Sequence, residues 1–148
     1  MKLALDTNVL AYAEGINGAT ARQLAWELLE KLPSSSVLIP VQALGELFQV
    51  LVRKGGRHAR QANTAILLWR DLFPAIDTTD SILLAAMDLC VQHRLNIWDA
   101  VILSSAADAQ CRLLLSEDMH EGFTWAGVTI INPFAKKKHD LLEQLLEH

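Results

Sequence analysis

The sequence predicts an α/β fold with a mainly parallel central sheet flanked by helices. Short, almost wholly apolar runs alternate along the chain with longer stretches of helical spacing, as expected when strands and helices take turns. Isolated acids also stand where apolar segments begin, end or turn. In parallel sheets, sites form beyond the carboxyl ends of the strands. The 148 residues are enough for one domain with a sizeable core.

The first half of the chain alternates short strands with helices. We predict strands over residues 2–5, Val37–Ile39 and, more weakly, Ala75-Ile76. We predict helices from about Asn8, over Ala19–Lys31, from Pro40 to about Arg53, and from about His58 to Leu72. Proline suits the first turn of a helix, and a glycine pair breaks the third helix before the fourth begins.

The second half repeats this alternation. The capping residues Thr78-Thr79-Asp80 predict a helix that continues through His93. The stretch from Ile97 to Ala109 predicts another helix, and it has hardly any charge on any side, so we expect it to be buried. The last two predicted strands are Leu113–Leu115 and Val128–Ile131.

These elements predict one domain over residues 1–134, followed by a C-terminal tail or helix over residues 135–148. The final residues, Leu146 to His148, are either native or the remnant of a purification tag.

The composition is typical of a globular cytoplasmic protein, with 51% hydrophobic and 20% charged residues. The apolar runs are too short to span a bilayer, and the first strand begins too early to leave room for a signal peptide. Cys90 and Cys111 lack a C-x-x-C spacing, which predicts reduced core residues. The five histidines show no metal-ligand spacing, which argues against a zinc site.

Four acids carry the functional signal, and they are spread over almost the whole chain. They are Asp6, Glu46, Asp99 and Asp118. Carboxylates at the ends of strands and helices can converge at one edge of a folded sheet, where they repel one another and lose hydration. The usual compensation is a hard divalent cation with oxygen ligands. Without these four, the 17 acids fall to the same number as the 13 Lys and Arg, so the net charge of −4 neither supports nor excludes RNA.

Each acid also has an ordinary structural interpretation. Asp6 is placed to cap the helix that follows the first strand. Glu46 lies at the margin of a polar helix face, which favours a solvated side chain. Asp99 opens the uncharged helix and therefore lies near the core, where a carboxylate is costly unless it is paired or coordinated. Asp118 lies in a turn, and spacing alone leaves open whether it or Glu117 faces the site.

A basic segment follows the helix that carries Glu46. Its charged members are Arg53, Lys54, Arg57 and Arg60, which we predict as candidates for binding RNA phosphates. An ordinary solvated helix junction explains the same residues equally well.

The motifs around the acids resemble those of PIN-domain nucleases. The first is Leu5-Asp6-Thr7-Asn8-Val9-Leu10-Ala11-Tyr12. The others follow in that family's order: Glu46 in a helix after the second strand, Trp98-Asp99-Ala100-Val101-Ile102, and Leu115-Ser116-Glu117-Asp118. The ending Asn132-Pro133-Phe134 is similar to that of the VapC-type toxins, the bacterial toxin branch of the family. The likeness runs from Lys2 to about Phe134.

The resemblance implies a three-layer PIN-like fold and an Mg²⁺ or Mn²⁺ site. Asp6, Glu46 and Asp99 would be the ligands, and Asp118 would complete the pocket. Asn8 and Ser116 would be supporting hydrogen-bonding groups, with Ser116 in the place of a frequent threonine. The implied activity is endoribonuclease cleavage of RNA phosphodiesters by an Mg-activated water, as in the toxin of a toxin–antitoxin pair.

The resemblance also implies protein partners, namely a cognate antitoxin and a second copy of the chain in a homodimer. The first helices offer a landing surface for an antitoxin helix through Leu10, Tyr12, Ile16, Leu24, Trp26 and Leu28. The alternative is a catalytically degenerate PIN-like domain that acts by binding protein or RNA.

Two other protein classes also place acids at strand ends, and the sequence disfavours both. A haloacid-dehalogenase-type phosphatase needs a second Asp two residues later, where this chain has Asn8. A receiver domain needs a lysine near a late strand, and there is none between Leu113 and Ile131.

Overall fold

The computed structural model describes residues 1–147 and contains one six-stranded sheet. The strands are β1 (Leu3–Leu5), β2 (Val37–Pro40), β3 (Ala75–Ile76), β4 (Leu113–Leu115), β5 (Thr124–Trp125) and β6 (Val128–Ile131). Their order is β3-β2-β1-β4-β6-β5, and every neighbouring pair is parallel except β5 with β6. The predicted α/β fold with a mainly parallel sheet is confirmed.

The two central strands, β1 and β4, are wholly buried and purely apolar. They pair in parallel, with Leu5 opposite Leu115. Because both strands run in the same direction, the residues that follow them, Asp6 and Ser116, emerge side by side at one edge of the sheet.

Helices surround the sheet at nearly the positions that the sequence predicts. They are α1 (Thr7–Ala13), α2 (Ala19–Lys31), α3 (Val41–Arg53), α4 (Ala59–Leu72), α5 (Asp80–His93), α6 (Ile97–Asp108) and α7 (Asp140–Leu146). A short 3₁₀ helix at Ser34–Ser36 lies between α2 and β2. Helix α6 packs against β2, β4 and β6, and residues 100–106 are all buried, which explains the uncharged sequence of this helix.

Strand β5 is the element that the sequence analysis missed. It pairs with β6 through a hairpin whose two loop residues, Ala126 and Gly127, both have positive φ angles of 49° and 82°. Two-residue loops with positive φ at both positions usually contain Asn-Gly or Asp-Gly, which makes them recognisable in a sequence. Alanine is uncommon at positive φ, so the turn gave little signal.

The C-terminal segment ends in helix α7, which buries Leu142 and Leu145. The domain boundary at residue 134 remains a prediction. The proposed tag remnant extends to His148, which lies outside the described residues.

The expected apolar landing surface on the first helices is wrong for half of its members. Leu10 and Leu28 belong to the core. Trp26 stacks on Trp69 with ring centroids 5.5 Å apart and donates a hydrogen bond to the Ala13 carbonyl at 2.8 Å. Leu24 alone of the six is clearly exposed, at 47%.

Both cysteines are free, with Cys111 buried and Cys90 half-buried. Across residues 1–147, no helix combines the length and apolar character needed to cross a membrane.

Candidate active site

Asp6 occupies the junction between β1 and α1. Its backbone N–H donates to the Leu115 carbonyl at 3.0 Å, which fixes the end of β1 against the end of β4. One carboxylate oxygen accepts the Thr7 N–H at 2.7 Å, so Asp6 is the N-cap of α1, as its structural interpretation predicts. The capping role does not put the side chain in solvent, because only 4% of Asp6 is exposed.

Ser116 and Asn8 hold the other oxygen of the Asp6 carboxylate. The Ser116 hydroxyl donates to it at 2.6 Å, and the Asn8 amide nitrogen lies 3.4 Å away. The Asn8 carbonyl oxygen accepts the Glu117 N–H at 3.2 Å, and the Ser116 oxygen accepts the Met119 N–H at 3.3 Å. These contacts fix the carboxylate and the turn after β4 in one hydrogen-bonded unit.

Glu46 reaches the same place from α3. One oxygen accepts the Thr7 hydroxyl at 3.5 Å, and the other accepts the Gln42 side-chain amide at 3.0 Å. The side chain is half-buried rather than fully solvated, so the structure departs from the interpretation that its helix position favours. Because Thr7 directly follows Asp6 in the chain, this contact places Glu46 close to Asp6.

Asp99 and Asp118 complete the acidic group. Asp99 lies in the first turn of α6 and is half-buried, and its carboxylate accepts no hydrogen bond from any residue of the described chain. Asp118 is exposed in the turn after β4.

All four acids line one cleft of about 270 Å³, which we call the acid cleft. Its other lining residues are Thr7, Asn8, Ala11, Tyr12, Ile16, Val50 and Lys54. Four residues that span the sequence from position 6 to position 118 are therefore brought together in one cleft.

Burial and mutual repulsion raise the pKa values of three of these acids. Burial raises the pKa of Asp6 to about 6, against the lowering effect of its hydrogen bonds from Ser116 and Thr7. Burial likewise raises the pKa of Glu46, with a further contribution from the Asp6 charge. The pKa of Asp99 is raised by burial and then by the charges of Glu46 and Asp118. Asp6, Glu46 and Asp99 are therefore harder to ionise than free carboxylic acids, mainly because they are buried and in addition because other carboxylates lie nearby.

Glu117, the alternative to Asp118, points elsewhere. Its carboxylate accepts a hydrogen bond from the Tyr12 hydroxyl, and it is not among the lining residues of the acid cleft. The structure thus distinguishes two neighbouring acids that the sequence left equivalent.

The basic segment divides in the same way. Lys54 lines the acid cleft, whereas Arg53 lines a separate surface groove and Arg60 is exposed at the start of α4. Both terminal nitrogens of Arg57 contact Glu14 at 2.7 Å, one on the carboxylate and one on the backbone carbonyl. The charge of Arg57 is therefore already neutralised within the fold.

The sequence model of the PIN domain family matches residues 3–120. This chain belongs to the PIN domain family. No curated protein sequence is significantly similar to it.

Solved structures share the fold of this PIN domain at low sequence identity. The toxin VapC20 of Mycobacterium tuberculosis, described as cleaving the sarcin-ricin loop, is 20% identical with a TM-score of 0.67 over 79% of this chain and 90% of the toxin. A toxin–antitoxin complex from Klebsiella pneumoniae gives 20% and 0.66 over 90% and 98% of the two chains. VapBC2 of Rickettsia felis, bound to promoter DNA, gives 18% and 0.64 over 88% and 97%.

The donor set of this PIN domain fits a hard divalent cation. All four acids offer carboxylate oxygens, which Mg²⁺ and Mn²⁺ prefer. Burial, with a smaller contribution from neighbouring carboxylates, raises the pKa values of Asp6, Glu46 and Asp99, and a bound cation would offset that cost. Within residues 1–147, no group of three or more His, Cys, Asp or Glu side chains is already arranged to hold an ion. Mg²⁺ binds through one or two carboxylates and keeps several waters, so it does not need such a cage.

Three residues near the acids escaped the sequence analysis as site members. The Thr7 hydroxyl and the Gln42 amide hydrogen-bond to Glu46, and the Tyr12 ring lines the cleft. Thr7 and Tyr12 belong to the first motif quoted above, but nothing in their spacing distinguished a lining side chain from a core one.

Proposed function

We propose that this PIN domain is a metal-dependent endoribonuclease. The observation that carries the proposal is the convergence of Asp6, Glu46, Asp99 and Asp118 on one cleft, with three of the four pKa values raised. A fold that requires four carboxylates only for structure gains nothing by placing them where they repel one another. A cation-binding site explains that placement, and perturbed acids in a cleft are typical of functional sites.

The carboxylates have distinct roles in this proposal. Asp6, Glu46 and Asp99 would hold Mg²⁺ or Mn²⁺, and Asp118, at the exposed rim, would complete the pocket. When bound, such an ion would neutralise charge at the scissile phosphate and lower the pKa of a coordinated water, which would make that water a better nucleophile. Ser116 and Asn8 hold the Asp6 carboxylate in one orientation, and Thr7 and Gln42 do the same for Glu46. Fixed acids need no reorganisation when the substrate arrives.

RNA is the substrate that we infer. VapC20, which shares the fold, is described as cleaving the sarcin-ricin loop, and Lys54 places one positive charge beside the acids. The competing proposal is a degenerate domain that only binds protein or RNA. The presence of all four acids, with two of them held by hydrogen bonds, favours catalysis.

We expect RNA cleavage that needs Mg²⁺ or Mn²⁺. Purified protein should cut labelled RNA in the presence of either ion and leave it intact in excess EDTA. The same ions should raise the melting temperature, because binding at about 100 times the dissociation constant stabilises the folded state by about 2.7 kcal/mol.

Asp99→Asn protein, purified in parallel, controls for contaminating host ribonuclease. Cleavage that persists in EDTA, or that equals the wild-type rate in this control, would refute the proposal. The thermal shift does not depend on activity, so it distinguishes a protein that cannot bind metal from one that binds metal but does not act on the RNA.

We also propose that the nuclease is the toxin of a toxin–antitoxin pair. This proposal is supported by the structural similarity, since two of the similar structures are toxin–antitoxin assemblies. An uncontrolled ribonuclease would damage its own cytoplasm, so a protein inhibitor is chemically sensible. We propose a homodimer as the assembled form, with antitoxin bound to each copy.

We expect growth arrest when the chain is produced alone, and relief when the small protein encoded beside it is co-produced. A stable complex of the two should be recoverable by size-exclusion chromatography, which also reports whether the chain is a dimer. The Asp99→Asn protein should be harmless yet still bind the neighbour. A harmless wild-type chain that binds no neighbouring gene product would end the toxin proposal while leaving the nuclease proposal intact.

A further inference from the structure

The acid cleft opens into a second concavity of about 650 Å³, which we call the outer cleft. Seven residues line the outer cleft. Four are shared with the acid cleft, namely Tyr12, Ile16, Lys54 and Asp118, and the other three are Gly15, Asn17 and Gly55. The two clefts are therefore continuous. A chain-like ligand with one group at the acids would place its next group in the outer cleft.

Lys54 is the only positively charged residue among those that line either cleft in the described chain. It is the C-cap residue of α3 and is exposed. No acid of residues 1–147 forms a salt bridge with it, although Asp118 lines both concavities beside it. Its ammonium group is thus available to an anion that enters from solvent, and it lies at the boundary between the two clefts.

Tyr12 lines both clefts, and two contacts hold its side chain in place. Its hydroxyl donates to Glu117, and its ring packs against Phe134 with centroids 5.5 Å apart and planes inclined by 51°. The side chain is nevertheless partly exposed. A fixed, accessible aromatic ring is the usual stacking platform for an unpaired nucleobase.

The two walls of the outer cleft are locked together before any ligand binds. Glu14, directly after α1, binds Arg57 through its carboxylate and carbonyl, and its second carboxylate oxygen accepts the Trp69 indole N–H at 2.7 Å. At Gly55, an added Cβ would lie 2.7 Å from the Leu51 carbonyl and 3.2 Å from the Ile16 side chain. Close backbone approach on one side and an ion pair on the other keep the cleft preformed, which lowers the entropic cost of binding.

We propose that the outer cleft is a nucleotide-binding subsite for single-stranded RNA, in which Lys54 binds a backbone phosphate and the Tyr12 ring stacks on the adjoining base. This subsite rests on the proposed ribonuclease function, because it positions the nucleotide next to the phosphate that is cut at the acids. A lysine and a rigid aromatic ring in one open cleft match the alternation of phosphate and base along a single strand. A duplex keeps its bases stacked inside and could not use the ring.

The proposal assigns two different physical terms to two residues, and they can be measured separately. Anisotropy of a fluorescein-labelled single-stranded RNA of mixed sequence, titrated in EDTA, reports binding without cleavage. Lys54→Gln should weaken binding about tenfold and reduce the dependence of the binding constant on salt, because one phosphate contact is lost. Tyr12→Leu should weaken binding about tenfold with the salt dependence unchanged, because stacking is not ionic.

Two matched variants control for trivial effects. Tyr12→Phe keeps the ring while losing the hydrogen bond to Glu117, so it should retain more RNA affinity than Tyr12→Leu. Lys31→Gln makes the same charge change as Lys54→Gln at an exposed residue at the end of α2, outside both clefts, and should leave binding unaltered. Circular dichroism of Tyr12→Leu shows whether the fold survives. If Tyr12→Leu does not fold, Lys54→Gln still measures the phosphate contact, and Tyr12→Phe still measures the contribution of the hydroxyl.

Wild-type affinity and salt dependence in Lys54→Gln would overturn the subsite, as would an absence of RNA binding by the wild type. With Mg²⁺ present, the subsite variants should raise KM for RNA more than they lower kcat. Cleavage with unchanged KM would mean that RNA enters elsewhere, and the ribonuclease function would stand without the subsite. If RNA binding depends on Lys54 but the protein cleaves no RNA, the subsite would stand and the ribonuclease function would be wrong.

Discussion

Asp99→Asn should reduce RNA cleavage by about a thousandfold without unfolding the protein. A bound cation contributes several kcal/mol of charge stabilisation to the reaction, and a loss of about 4 kcal/mol corresponds to about three orders of magnitude in rate. Asn is nearly isosteric with Asp but carries no charge. The Asp99 carboxylate accepts no hydrogen bond within residues 1–147, so the substitution breaks no internal contact of that group.

Asp6→Asn should lose activity to the same extent by a different route. The amide keeps an acceptor for the Thr7 N–H and remains a good N-cap. It loses one carboxylate oxygen that Ser116 and Asn8 now hold in place. If the acids act as a unit on one ion, the double variant Asp6→Asn/Asp99→Asn should be little worse than either single variant.

The appropriate control is Asp108→Asn, which makes the same change at the exposed far end of the helix that carries Asp99. Initial rates of cleavage at saturating Mg²⁺, measured for the wild type and these four variants together with their melting temperatures, test the expectation. Wild-type activity in a folded Asp99→Asn protein would remove this residue from the site.

The placement of Asp6 and Ser116 was predictable from sequence because it follows from topology. Two short apolar runs that form adjacent parallel strands must deliver their next residues to the same edge. The same reasoning placed the turn that contains Glu117 and Asp118 at this edge, and the uncharged helix of residues 97–109 indicated that Asp99 lies near the core. In these cases the apolar residues of the sequence showed which segments are buried, and the buried segments determine where the acids lie.

Glu46 and Arg57 show where such reasoning stops. A helical wheel placed Glu46 at the margin of a polar face, but the side chain is half-buried and contacts the Thr7 hydroxyl, 39 residues earlier in the chain. Arg57 looked equivalent to Lys54 in a basic segment, and its partner Glu14 is 43 residues away. Long-range contacts of single polar side chains leave no periodic trace in a sequence.

The same limit explains the choice between Glu117 and Asp118. Adjacent residues in an irregular turn have no fixed alternation, so only packing determines which carboxylate faces the cleft. The Tyr12 hydroxyl takes Glu117, and Asp118 is left to line the acid cleft. An aromatic residue in the first motif thus determines the orientation of an acid in the last one.

The metal-free protein should become less stable as the pH rises from about 4 to about 7, in proportion to the charge that it must bury. Burial raises the pKa of Asp6 from its ordinary value of 3.8 to about 6 in the folded state. Between these values the folded protein binds more protons than the unfolded chain. The free energy of unfolding therefore falls as Asp6 ionises, by about 3 kcal/mol for a shift of about two pH units. The raised pKa values of Glu46 and Asp99 add to the fall with the same sign.

Asp6→Asn isolates the contribution of the buried acid. The neutral side chain titrates in neither state, so the variant should lose most of that 3 kcal/mol dependence and be more stable than the wild type above about pH 6.5. Urea unfolding in EDTA at several pH values gives the comparison, with Asp108→Asn as the control that keeps the wild-type slope. Equal slopes for the wild type and Asp6→Asn would mean that Asp6 is ionised in the folded protein at little cost. Adding saturating Mn²⁺ is a separate test of the same carboxylate. It should restore the stability of the wild type near neutral pH, because the ion replaces the proton as the partner of the buried charge, and it should leave Asp6→Asn largely unaffected.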